Sequence, residues 1–230
     1  MLISPQNSML RVNYVRSRIN EAAVAAGRDP ASVTLVAVTK GKSAENIRVA
    51  ATAGVTDFGE NYLQEALGKM DQLTDLPLKW HFIGAIQSNK TRSLAMRFDW
   101  VHSLDRLNIA QRLSEQRPFH APPLSVCLQV EMVPEPNKGG VAPERLTELA
   151  LAGALLPRIH LRGLMCIPPP QRTLAAERAL FARLRRLLEE LNHKGLKLDT
   201  LSMGMSADFE SAVAEGATLV RIGTALFGER

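Results

Sequence analysis

A lysine at the end of a buried apolar segment is the first candidate for chemistry in this sequence. Lys40 follows residues 33–38, which are apolar and rich in β-branched side chains. Burying an ammonium group costs free energy, so a lysine at the rim of a core is unusual. Desolvation favours the neutral amine, which can form a Schiff base with a carbonyl. Taken alone, Lys40 is better explained as a rim lysine that reaches solvent or pairs with a carboxylate.

Two glycine-containing turns near the carboxyl terminus suggest a phosphate site. Residues 201–206 read LSMGMS and residues 220–224 read VRIGT. Gly223 lets an anion approach the backbone, Thr224 adds a hydroxyl donor, and nearby helix amino termini favour negative charge. Ser206 is predicted to be the N-cap of the next helix, which has acidic residues in its first turn. The simpler explanation is two ordinary turns that bind no ligand.

Taken together, Lys40 and the two turns indicate one kind of ligand more clearly than any of them does alone. An aldehyde that carries a phosphate could form an imine with Lys40 while its phosphate binds near Gly223. Arg221 would lie beside that phosphate site. Two ligands satisfy the pattern, pyridoxal 5′-phosphate (PLP) and a sugar phosphate bound as an imine. Residue types and spacing do not choose between them.

The elements that would position these residues alternate between short apolar strands and amphipathic helices. A first helix is predicted at residues 8–26. The predicted strands are 33–38, 55–59, 80–83, 100–103, 125–131, 161–166, 200–203 and 219–222, and the helices between them are 44–53, 62–73, 90–96, 106–115, 143–151, 174–192 and 207–215. This α/β alternation is typical of a parallel sheet, and eight strands favour a single (β/α)8 TIM-type barrel over an open, doubly wound sheet.

Further polar residues follow the second and third predicted strands, where a barrel gathers its functional groups. Asn61 follows the second strand, and His81 alternates with apolar neighbours in the third. The His81 ring could therefore point into the barrel. A single buried histidine is more often a hydrogen-bonded core residue than a catalyst, so both interpretations stay open.

Length and composition indicate one domain that spans residues 1–230. The chain is 46% hydrophobic, and a single barrel needs about 250 residues. No signal peptide or membrane-spanning apolar run is visible, so we expect a cytoplasmic protein without a membrane segment. Cys127 and Cys166 do not form a disulfide framework. The net charge of +5 comes from scattered basic residues, so no nucleic-acid partner is expected.

Six segments spread along the chain form a specific combination of motifs. They are AVTKGKS (37–43), FGENYLQEA (58–66), WHFIGAIQSNK (80–90), GLMCIPPP (163–170), LSMGMSADFESAV (201–213) and VRIGTALFGER (220–230). Together they resemble the pyridoxal phosphate homeostasis protein family. The resemblance covers nearly the whole chain. It implies a single barrel like the amino-terminal domain of alanine racemase, with PLP as the cofactor.

The same resemblance implies how PLP is bound. Lys40 is the Schiff-base lysine, and Arg221 faces the pyridine nitrogen. Independently of the resemblance, Lys42 lies two residues away from Lys40 and is therefore a candidate for a secondary or transient PLP site. The phosphate is held by Ser206, Gly223 and Thr224, and Met205 lies beside it. Asn61 and His81 line the pocket of the pyridine ring.

The resemblance further implies a PLP carrier or regulator, with no catalytic residue and no metal. Racemases of the related fold have a second, all-β domain that supplies a catalytic tyrosine. This sequence ends soon after the eighth predicted strand, so we expect that domain to be missing. A guanidinium is always charged, so Arg221 keeps the pyridine nitrogen unprotonated and disfavours carbanion chemistry.

Two enzyme classes remain as alternatives to the carrier. The first is a PLP-dependent amino-acid racemase, and the second is a Schiff-base aldolase that acts on a sugar phosphate. For the carrier, we expect a monomer that binds PLP and delivers it to PLP-requiring apo-enzymes.

Overall fold

The eight predicted strands form a closed, all-parallel barrel in the computed structural model, which describes residues 4–134 and 139–229. Each strand pairs with the next one along the chain, and the last pairs with the first. Strands β1 to β8 are Thr34–Val38, Asp57–Glu60, Lys79–Phe82, Trp100–Leu104, Leu124–Gln129, Ile159–Met165, Thr200–Ser202 and Leu219–Ile222. The predicted (β/α)8 barrel is therefore confirmed.

Helices surround the barrel and connect its strands. In the described part of the chain, helices α1 to α9 are Pro5–Ala25, Ala44–Thr52, Leu63–Gln72, Thr91–Arg97, Leu107–Gln116, Pro143–Ala154, Leu174–His193, Phe209–Ala214 and Thr224–Phe227. The predicted amino-terminal helix is present as α1, which packs against α2, α8 and α9. The short helix α9 was not predicted, because four residues are too few to show a helical period.

Helix α1 begins three residues earlier than the sequence pattern predicts. The Ser4 side chain accepts a hydrogen bond from the Asn7 N–H, and Pro5 occupies the first helical position. A serine cap followed by proline is a favourable helix start, since proline lacks the N–H that would otherwise need a partner. The helix ends before Gly27, whose φ of 68° suits glycine.

The two cysteines of the chain lie in the barrel as free thiols. Cys127 and Cys166 are free and buried, and burial raises the pKa of each thiol to about 12. Among residues 4–134 and 139–229, no helix combines the length and apolar character needed to cross a bilayer. Over the same residues, no cluster of three or more His, Cys, Asp or Glu side chains could hold a metal ion.

Candidate ligand site at the carboxyl-terminal mouth of the barrel

Lys40 lies where β1 leaves the barrel. A side chain at Gly59 would meet Val36 and Val38 at 3.2 and 3.6 Å, so these two valines share the inner face of β1. Strand alternation continues that face to Lys40. Lys40 is half-buried, and its ammonium forms no hydrogen bond or ion pair with any described residue. Its amine is therefore free to meet a ligand at the mouth.

A buried ion cluster fixes the residues on both sides of Lys40. The Lys69 ammonium donates to the Thr39 carbonyl at 2.7 Å and contacts the carboxylates of Glu60 and Glu65 at 2.6 and 2.5 Å. The Thr39 hydroxyl donates to Glu60, and the Gly41 N–H donates to Glu65, both at 2.6 Å. We call Glu60, Glu65 and Lys69 the Lys69 cluster. It restrains the loop that carries the free lysine.

Lys42 points away from the mouth. Its ammonium donates to the carbonyls of Phe227, Gly228 and Glu229 at 3.2 to 3.4 Å, at the end of α9. A lysine near the carboxyl end of a helix commonly satisfies the last carbonyls in this way. To act as a secondary PLP site, Lys42 would first have to leave these carbonyls.

Arg221 is buried in the barrel interior, close to the mouth. Its Nη1 donates to Ser202 Oγ at 2.7 Å, and its Nη2 donates to the Cys166 carbonyl at 2.8 Å. Its backbone N–H donates to the carbonyl of Gly204, which has a φ of 94°. A side chain at Gly204 would lie 2.6 Å from the Ala212 Cβ, so the turn after β7 requires glycine. The guanidinium keeps further N–H groups for a ligand.

Two backbone N–H groups converge on one point beside the mouth. The amides of Gly223 and Ala225 both donate to Ser206 Oγ at 3.3 Å. An anionic oxygen that displaced Ser206 Oγ from this point would receive the same two donors, and the displaced hydroxyl could then donate to it. Ala225 was missed by the sequence prediction, because a backbone donor leaves no mark on residue type.

The predicted N-cap role of Ser206 is wrong. Helix α8 begins at Phe209, and Asp208 occupies the cap position. Asp208 Oδ1 accepts from the Met205 N–H at 2.6 Å, which closes the turn before the helix. The Ser206 hydroxyl is turned toward the β8–α9 connection instead. Met205 and Ser206 are both partly exposed at this turn.

The converging amides lie next to the strand that carries Lys40. Ile222 of β8 pairs with Ala37 of β1, and a side chain at Gly223 would come within 3.4 Å of the Val38 carbonyl. Thr224 is exposed at the first position of α9. The structure therefore brings the lysine and the predicted phosphate-binding turn together at neighbouring strand ends.

Asn61 contributes an unsatisfied oxygen at the end of β2. Its Oδ1 is buried and has no hydrogen-bond partner among the described residues. A side chain at Gly84, where β3 leaves the barrel, would lie 2.0 Å from the Asn61 carbonyl oxygen. Only glycine permits this approach. A buried amide oxygen without a donor costs free energy, and a ligand group can supply the donor.

His81 lies deeper in the barrel than the mouth residues. It is fully buried, with its ring nitrogens 2.9 Å from Asp57 Oδ1 and 2.9 Å from His102 Nε2. His102 Nδ1 lies 2.7 Å from Ser202 Oγ, so two side chains separate His81 from Arg221. The ring also borders a cavity at the amino-terminal end of the barrel. The structure does not bring His81 to the mouth.

We expect His102 to make the protein less stable in mild acid. Burial, together with the nearby His81 and Arg221, lowers the pKa of His102 well below its usual value. Below a pH of about 6.5 the unfolded chain therefore binds a proton that the folded chain refuses, and stability falls by up to about 1.4 kcal/mol per pH unit. Urea unfolding between pH 5 and 8 measures this slope.

His102→Leu is the test variant, and His120→Gln is the control because His120 is exposed. The dependence of stability on pH should flatten in His102→Leu and persist in His120→Gln. A His102→Leu protein with the slope of the wild type would assign the acid sensitivity to other groups.

Comparisons with known proteins identify the family of this chain. The family described as "Alanine racemase, N-terminal domain" matches residues 13–230. The pyridoxal phosphate homeostasis protein of Pseudomonas aeruginosa is 65% identical over 216 residues, which cover 94% of this chain and 93% of that protein. The protein of the same name from Escherichia coli is 47% identical over 219 residues, with 94% of each chain covered.

Solved structures show the same architecture. PipY of Synechococcus elongatus, solved with PLP bound, has a TM-score of 0.86 and 42% identity, and the match covers 96% of this chain and 100% of that one. Alanine racemase of Clostridium difficile has a TM-score of 0.77 at 14% identity, covering 98% of this chain and 57% of that one, which shows the fold alone. The chain therefore belongs to the alanine racemase N-terminal domain family, and within it to the pyridoxal phosphate homeostasis proteins.

Proposed function

We propose that this chain binds PLP as a Schiff base on Lys40 and acts in PLP homeostasis as a carrier or regulator. The observation that carries the proposal is the mouth site itself. It combines a free lysine amine, an unsatisfied Asn61 oxygen and the two amides that converge on Ser206. Relatives named for PLP homeostasis and the PLP-bound PipY structure favour PLP over a sugar phosphate as the aldehyde.

Each proposed contact follows from the chemistry of the residue. PLP supplies an aldehyde that condenses with an amine, and a phosphate that needs several donors. Lys40 offers the amine, and the Gly223 amide with the Ser206 and Thr224 hydroxyls offers donors for the phosphate. Met205 lies beside this turn. Arg221 is proposed to donate to the pyridine nitrogen, and Asn61 to face the ring.

The carrier role rests on Arg221. A guanidinium donates hydrogen bonds and does not accept them, so a pyridine nitrogen that faces Arg221 stays unprotonated. That state makes PLP a poor electron sink, which disfavours the carbanion chemistry of a racemase. The sequence contains two tyrosines, Tyr14 and Tyr62, and both are exposed, so neither is held against the site as an acid.

A titration with PLP tests the proposed function directly. Addition of PLP to the cofactor-free protein should change the absorption spectrum and saturate at one equivalent. Deuterium wash-in, followed by NMR, should show no α-proton exchange of added amino acids above the rate with free PLP. Failure to saturate would contradict PLP binding, and rapid exchange would support the racemase instead.

Release of PLP is the second half of a carrier's task. We propose PLP-requiring apo-enzymes as recipients, with this chain acting as a monomer. Mixing the PLP-loaded protein with an apo-enzyme should restore the enzyme's activity in the presence of a trap that removes free PLP. Recovery only without the trap would show that PLP reaches the recipient through solution.

Thr224→Val should weaken PLP binding without changing the fold. The substitution keeps the shape of the side chain and removes one hydroxyl donor to the phosphate. Loss of a hydrogen bond to a charged group costs about 1.5–3 kcal/mol, which corresponds to a factor of about 10 to 100 in affinity. Thr74→Val, at an exposed threonine outside the site, is the matched control. Equal affinities for both variants would place the phosphate elsewhere.

A further inference from the structure

A continuous series of hydrogen bonds crosses the barrel interior, and we call it the Arg221–Asp57 chain. Arg221 Nη1 donates to Ser202 Oγ at 2.7 Å, and Ser202 Oγ lies 2.7 Å from His102 Nδ1. His102 Nε2 lies 2.9 Å from His81 Nδ1, and His81 Nε2 lies 2.9 Å from Asp57 Oδ1. All five side chains are buried. Branched apolar side chains usually fill such a barrel, so this polar layer calls for a reason beyond packing.

With Asp57 ionised and one proton on each ring, the two ends of the chain fix the direction of every hydrogen bond. A guanidinium only donates, so Ser202 Oγ accepts from Arg221 and directs its own proton toward His102 Nδ1. His102 must then carry its proton on Nε2 and donate to His81. His81 in turn carries its proton on Nε2 and donates to Asp57, and a carboxylate can accept it. Every donor therefore meets an acceptor, from Arg221 to Asp57.

The opposite direction requires one more proton. A doubly protonated His81 would donate to His102 Nε2, and His102 would then donate to Ser202. The Ser202 oxygen would accept twice, and its proton would lose its partner within the chain. Burial, with His81 and Arg221 nearby, lowers the pKa of His102 well below its usual value. Burial alone would raise the pKa of Asp57, but hydrogen bonds from His81 and Thr56 lower it. In either direction these shifts leave His102 with one proton and Asp57 as an acceptor, and only the arrangement with neutral rings also gives the Ser202 proton a partner.

We propose that Ser202 and His102 are positioning residues that hold the Arg221 guanidinium in place for the pyridine nitrogen, an inference that rests on the proposed PLP binding. Ser202 holds Nη1, and the Cys166 carbonyl holds Nη2 at 2.8 Å. His102 acts through Ser202, because it takes the hydroxyl proton and leaves the oxygen free to accept from Arg221. Asp57 ends the chain with a negative charge that polarises each bond toward itself.

Nitrogen-15 NMR of the cofactor-free protein tests the chain without PLP. In the wild type, both His81 and His102 should be neutral with the proton on Nε2, and the Arg221 side chain should show two resolved Nη resonances. Ser202→Ala should merge the two Nη resonances, because one anchor is lost. Ser202→Thr keeps the hydroxyl and should keep them resolved. Ser211→Ala, at a buried serine of α8 outside the chain, is the control and should change neither signal.

Two outcomes would overturn the inference. One is a proton on Nδ1 of either histidine in the wild type, and the other is a Ser202→Ala protein with resolved Nη resonances. If Ser202→Ala does not fold, His102→Asn and His102→Leu replace it. Asparagine keeps an acceptor for the Ser202 hydroxyl and leucine does not, so only leucine should merge the Arg221 resonances. Identical spectra for the two variants would also contradict the inference.

Titration with PLP then tests whether the Arg221–Asp57 chain affects PLP binding. Ser202→Ala should bind PLP about tenfold more weakly than the wild type, and borohydride should still attach the cofactor to Lys40. Unchanged affinity would contradict the positioning role. A wild type that binds no PLP would contradict the proposed function, and the histidine tautomers would still report on the chain itself.

Discussion

Replacing Lys69 by methionine should cost about 3–5 kcal/mol of folding free energy, the range expected when one partner of a buried ion pair is removed. Glu60 is fully buried, and the Lys69 ammonium is its cationic partner at 2.6 Å. One oxygen of the Glu60 carboxylate, Oε2, already lacks a hydrogen-bond partner within residues 4–134 and 139–229. Methionine fills a similar volume, so the lost folding free energy comes from removal of the positive charge and not from a cavity.

The loss should depend on pH. Burial raises the pKa of Glu60, against the opposing hydrogen bonds from Lys69 and Thr39. Without Lys69 the folded-state pKa should rise further above the unfolded value. The folded variant then binds more protons than its unfolded chain, so its stability falls as the pH rises through that window. Urea unfolding at pH 5 and pH 8 should therefore show the larger deficit at pH 8.

A double variant separates charge from packing. Lys69→Met combined with Glu60→Gln removes both members of the buried pair, so it should recover part of the stability lost in Lys69→Met. The Lys40 loop should exchange its Gly41 amide hydrogen faster in the single variant, because Glu65 loses its cationic partner. A single variant within about 1 kcal/mol of the wild type would show that the Lys69 cluster is not needed to restrain this loop.

The strands and the mouth were predictable because each leaves a local signal. Residues 33–38 show continuous β-branched character, and VRIGT shows a glycine after a buried strand. Closure of the barrel pairs β8 with β1 and so brings Lys40 and Gly223 to neighbouring strand ends, as the pairing of Ala37 with Ile222 shows. One expectation from local signals was wrong. Ser206 resembles an N-cap in sequence, but its hydroxyl accepts from two amides across the turn.

The Arg221–Asp57 chain was not predictable from such signals. His102 and Ser202 are 100 residues apart, and they meet because the barrel closes and its strands share a register. Alternation with apolar neighbours predicted that His81 could point inward, but His102 was not predicted, and residue type does not say which ring nitrogen meets which partner. The Lys69 cluster left a weaker trace, the four-residue spacing of Glu65 and Lys69 on α3.

Lys40→Ala should abolish covalent attachment of PLP. Reduction of the wild type with borohydride in the presence of PLP should fix the cofactor to the peptide that contains Lys40, and mass mapping identifies it. The alanine variant should show no label at this position. Residual, non-covalent PLP binding should persist through the amides of Gly223 and Ala225, so the spectrum should be that of the free aldehyde.

Lys42→Ala is the matched control, because Lys42 lies two residues from Lys40 in the same loop. Its ammonium is held by the carbonyls of Phe227, Gly228 and Glu229, whereas that of Lys40 meets no partner among the described residues. A lysine side chain that must first break its hydrogen bonds is less available to the aldehyde than one without partners, so Lys42→Ala should keep full label on Lys40. Label on Lys42 or Lys90 with none on Lys40 would contradict the assignment. Label that moves to Lys42 only in Lys40→Ala would instead identify Lys42 as the secondary site.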